Sequence, residues 1–105
     1  MEEEIRGEYI IFGYMGDLED AMGLAKKSGI SGGTIREIES AHDDLVDLGP
    51  LLKSGNDYKR LKDDVEGLVE DLVKNSREGN EDLILGSARQ LRDKVRMLKT
   101  VIDKT

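Results

Sequence analysis

Glu39 and His42 are the residues whose types and spacing most suggest chemistry. On a helix they stand about one turn apart. Carboxylate-bridged metal bundles of the ferritin-like kind place Glu-x-x-His this way on inward faces, with further Glu residues from neighbouring helices. The motif occurs once, so one chain would hold half of such a site. A symmetric dimer would supply the other half, with Glu19 as a bridging carboxylate. The plainer expectation puts His42 at the edge of the core and Glu39 on the surface, since Glu is common on any charged helix.

Other chemistries fit less well. A single histidine on the second helix of a bundle resembles histidine phosphotransfer domains, but those carry a Lys and a Gly in the turn after the histidine, where this chain holds Asp43, Asp44, Leu45 and Val46. Two carboxylates there would repel a phosphoryl group. The glycine-rich run from Gly29 to Thr34 lacks the Gly-Lys-Ser/Thr of a phosphate-binding loop and reads as a connector. Asp43-Asp44 and Asp63-Asp64 are neighbours on a helix, where side chains diverge by about 100° and make poor acid–base pairs. The absence of cysteine excludes disulfides and thiolate metal sites. No nucleophile, base and orienting group stand out together, so no enzyme activity and no cofactor are expected.

The elements that carry these residues are helical. Apolar residues at Ile84, Ala88, Leu91, Val95, Leu98 and Ile102 step by three and four, which gathers them on one face of a helix. Tyr58, Leu61, Val65, Leu68 and Leu72 do the same, flanked by Val69 and Val73. Ile35, Ile38, His42, Leu45 and Leu48 mark a shorter helix, with Thr34 and Glu37 in the pattern of a capping box and Pro50 beyond its end. The first segment traces a face through Ile5, Tyr9, Phe12, Met15, Leu18, Met22 and Ala25. A strand over residues 8–14 is the rival reading there, but a lone strand would have no partner in the rest of the chain. Glycines at 7, 13, 16 and 23 interrupt that segment, each at a cost of about 1 kcal/mol against alanine in a helix interior. The expected reason for them is close approach of another backbone.

The fold expected is therefore all-α: a single domain over residues 1–105, built as an antiparallel up-and-down four-helix bundle with helices near residues 4–28, 34–48, 57–78 and 81–103. The second helix, at ~22 Å, is much shorter than the ~33–38 Å of the others. A turn at residues 50–54 covers part of the deficit. Homodimerisation through the first helix, at Tyr9, Phe12, Tyr14, Gly16 and Gly23, would cover more.

Charge narrows the partners. The chain carries 23 acidic and 16 basic residues, a net charge of −7, which disfavours binding to nucleic-acid phosphates. Residues 80–105 run the other way, with six basic and four acidic residues, so this helix is expected to complement acidic neighbours. Many Glu, Lys and Arg beside one Gln and three Asn suit a thermophile protein. No apolar run approaches the ~20 residues of a membrane span. The acidic start, Met1 to Glu4, has the wrong sign for a secretory signal, so a cytoplasmic location is expected. The leading functional expectation is a non-enzymatic protein–protein interaction or assembly module. A dimer-built metal site at Glu39 and His42 and an acidic decoy mimicking nucleic acid are the alternatives.

Overall fold

The computed structural model describes the backbone of residues 2–104 and the side chains of residues 9–104. Its described residues form α1 (Glu2–Lys27), α2 (Gly32–Leu48), α3 (Gly55–Glu78) and α4 (Glu81–Asp103), with a 3-10 turn at Gly49–Leu51. Residues 8–14 are thus helical, as part of α1.

Short polar side chains start three of the helices, each satisfying a backbone N–H that a first turn leaves free. Ser31 accepts from the Thr34 N–H, Ser54 from the Asp57 N–H at 3.3 Å and Asn80 from the Leu83 N–H at 3.2 Å. The expected cap at Thr34 is corrected. α2 begins earlier, at Ser31, because Gly32 and Gly33 belong to its first turn and not to a linker. Thr34 is buried, and Glu37 turns toward α4. The chain's capping box lies instead at Ser54 and Asp57, where each side chain bonds the other's backbone. Gly79 ends α3 in a left-handed conformation, φ +72°, with the Ser28 side chain against it.

α1 packs on α2 and α3, and α4 packs on the same two helices. Three contacts fix the directions. Ile11 of α1 meets Gly49 at the end of α2, Ser28 after α1 meets Gly79 after α3, and Ser31 before α2 meets Glu81 at the start of α4. Successive helices therefore run in opposite directions, and the parallel pairs α1/α3 and α2/α4 lie side by side. The tendency of short connections to join antiparallel neighbours holds for α1–α2 and α3–α4. It fails for α2–α3, where the 3-10 turn carries the chain across the end of the bundle to a diagonal position.

The core is aliphatic. The stripe expected on α4 is buried at every position from Ile84 to Ile102. On α3, Val69 fills the place assigned to Leu68, which is half-buried at the flank. The inward face of α1 is rotated from the one expected: Ile11, Tyr14, Leu18, Ala21 and Ala25 point into the core, while Tyr9 and Phe12 are 69% and 62% exposed. Small Ala21 and Ala25 let α1 sit close to its neighbours, which a stripe through Met15 and Met22 would not.

Candidate interaction face and histidine pair

The rotation of α1 leaves an apolar stripe facing outward. Tyr9, Phe12 and Gly16, with Gly23 beyond them, step by three, four and seven along the side opposite the buried stripe. Around Gly13, Gly16 and Gly23, no atom of a neighbouring side chain or helix lies within 4 Å of where a Cβ would stand. Among the described residues, the backbone approach expected at Gly13, Gly16 and Gly23 is therefore not made, and Gly7 lies outside the residues whose surroundings are described. Of the five residues expected at an interface, Tyr9, Phe12, Gly16 and Gly23 share this outward side. Tyr14 does not; it is 7% exposed, on the core side beside α3.

Phe12 also forms the rim of an apolar groove of about 490 Å³ between the N-terminal half of α1 and the end of α2. Val46 and Pro50 form the facing rim, and Ile11, Met15 and Leu45 lie beneath. Val46 is 42% exposed, so this end of the bundle presents several uncovered apolar side chains together. The groove exists because α2 is 17 residues long against 26 for α1, and the 3-10 turn fills only part of the difference. The length mismatch is legible in the sequence; the orientation of Phe12 is not, since two overlapping stripes on α1 both have helical spacing.

The histidine lies higher along the same α1–α2 seam. The His42 side chain is 16% exposed, with Glu19 Oε1 3.5 Å from its Nε2 and Asp43 Oδ1 3.7 Å from its Nδ1. The Nε2 atom is shielded from solvent and makes no hydrogen bond. The carboxylate across from His42 is thus Glu19. Glu39 is exposed on the outer side of α2, in a shallow depression with Arg36, Ser40 and Asp44. Among the described residues, no group of three or more His, Cys, Asp or Glu is arranged to hold a metal ion.

Three arginines of α4 face α2. Arg92 donates to Glu37 at 2.6 Å, Arg96 donates to Asp44 at 2.8 Å, and Arg89 stands 3.8 Å from Glu37. Parallel α2 and α4 bring these residues level, so the basic helix complements an acidic neighbour inside the molecule. On the other side of the bundle, burial pushes the Tyr14 phenol up to about 12, with the charges of Glu66, Glu70 and Asp17 acting in the same direction.

No family model, no curated protein and no solved structure matches the chain. Among the described residues, no helix is long and apolar enough to cross a membrane.

Proposed function

We propose that this protein is a non-enzymatic interaction module that docks a helical partner on the outward face of α1. The observation that carries the reading is the exposure of Tyr9 and Phe12 on a helix side that α2, α3 and α4 leave uncovered. Aromatic side chains bury large area on binding and are enriched at interface centres, so water-exposed rings on a rigid helix suit docking. The groove beside Phe12 extends the apolar area, and the glycines beside it allow a partner backbone to come close.

The enclosure of His42 Nε2 supports the non-enzymatic side of the proposal, because a general base must reach the proton it takes. The internal use of Glu37, Asp44 and Glu81 supports it over an acidic decoy, since these carboxylates are held by the protein's own donors.

Capture from the native host with wild-type protein and with a Phe12→Asp variant tests the reading. Phe12 is exposed, so the variant keeps its fold, which far-ultraviolet circular dichroism verifies. Partners retained by wild type and lost by the variant are expected. An identical set of captured proteins for both would defeat the proposal.

A further inference from the structure

We infer that the helix docking on α1 is the α1 of a second copy of this chain, packed antiparallel about a twofold axis so that paired positions add up to thirty-five. The inference rests on the docking reading above and names its partner.

The outward stripe of α1 continues past the aromatics. Positions 9, 12, 16, 19, 23 and 26 alternate steps of three and four, the spacing that keeps a seam facing one partner helix; Glu19 borders it on the α2 side, where its carboxylate lies 3.5 Å from His42 Nε2. In the antiparallel register, Phe12 of each copy stands over Gly23 of the other, where the chain leaves the space above the glycine open. Tyr9 stands beside Lys26, a ring against a cation. Gly16 stands beside Glu19. Each bulky or charged residue thus meets a glycine or a favourable partner, and the twofold makes every pairing occur twice.

Charge selects the direction. In sequence, α1 opens with Glu2, Glu3, Glu4 and Glu8 against Arg6 and closes with Lys26 and Lys27. In this antiparallel register the position paired with Lys27 is Glu8, the last of these acids, and the position paired with Lys26 is Tyr9. Parallel packing would set like ends together, Phe12 against Phe12 and glycine against glycine, which repels at both ends and leaves the middle unfilled. Sliding the antiparallel pair by one heptad takes Phe12 off Gly23 in either direction. A seam made by one helix from each copy is small for a specific interface, so the dimer forms with rising concentration and is not obligate.

Disulfide trapping tests the register, because the chain has no cysteine of its own. Phe12→Cys combined with Gly23→Cys is expected to form a covalent dimer on mild oxidation. Each single variant is expected to form little, because like positions would be offset by eleven residues, ~16 Å along the axis, beyond disulfide reach. Sedimentation of the wild type is expected to show a dimer growing from micromolar to high-micromolar protein, and Gly23→Leu to weaken it about tenfold or more, as for a central contact. A wild type that stays monomeric throughout, or single cysteine variants that cross-link as fast as the double, would overturn the inference. In that event the docking reading stands or falls separately, by whether Phe12→Asp loses captured partners.

Discussion

The Glu81 carboxylate, in the first turn of α4, accepts a 2.8 Å hydrogen bond from the Ser31 backbone N–H just before α2. Fifty residues apart in sequence, the two helix starts are tied at one end of the bundle. The Ser31 N–H, then the Ser31 and Thr34 side chains, hold the Glu81 carboxyl below its usual value. A depressed folded-state pKa contributes stability that is present above the ordinary carboxylate range and is lost as pH falls through the folded value. Glu81→Gln is expected to lower the thermal midpoint slightly at neutral pH, with the gap closing in acid. Thermal unfolding followed by circular dichroism over a pH series checks this, and a gap independent of pH would contradict it.

Tyr14 gives the opposite limit of the pH range. Its phenol is pushed up to about 12 in the folded chain, first by burial and then by nearby acids. The unfolded chain ionises this group near pH 10, so folding stability from Tyr14 is intact below about 10 and falls away toward 12. Tyr14→Phe is expected to lose less stability than the wild type across that window in urea titrations at stepped pH. Equal alkaline losses in both proteins would show that Tyr14 is not the group responsible.

Core leucines rank by burial. Leu91 is fully buried, whereas Leu68 lies half-buried at the flank of α3. Leu91→Ala opens a cavity among side chains that cannot fully collapse, at a cost of about 2–5 kcal/mol. Leu68→Ala is expected to cost clearly less. Chemical denaturation of both variants measures the order, and a reversal would mean that α3 presents a different face to the core.

This ranking also shows how far the sequence can be read. The α4 stripe is clear in its middle, where Arg89, Gln90, Arg92, Asp93, Lys94 and Arg96 surround Ala88, Leu91 and Val95, although Leu83, Leu85, Met97 and Val101 adjoin the apolar positions at its ends. On α3, Leu68 and Val69 are adjacent and both apolar, so spacing alone does not choose between them, and packing against α1 and α4 favours Val69. On α1 the difficulty is greater. Tyr9 to Phe12 is an unbroken apolar run, and stripes starting from Tyr9 or from Ile11 share Leu18 and Ala25. The placement of α3, which periodicity does not encode, turns the helix so that Tyr14 is buried and Phe12 is exposed. The site is legible only in part for the same reason. Glu19 is visible as a possible partner of His42, yet which carboxylate faces the ring depends on how α1 and α2 are rotated about their axes.

The glycines of α1 separate the helix's own needs from those of a partner. Gly16 and Gly23 lie in ordinary helical backbone, with no neighbouring side chain or helix close to the position a Cβ would take, and so do Gly67 on α3 and Gly86 on α4. Alanine at any of these positions fits the monomer and narrows the unfolded ensemble, adding about 0.5–1 kcal/mol each. The pair Gly16→Ala and Gly23→Ala is therefore expected to raise the urea midpoint of dilute protein by as much as the pair Gly67→Ala and Gly86→Ala. Self-association is expected to change only with the first pair, because only those methyl groups enter the seam between copies. Denaturation at low concentration and sedimentation at high concentration, run on both double variants, read the two effects independently. If neither pair stabilises the dilute chain, the space around these glycines is not open; if both pairs alter association equally, the seam does not run along α1.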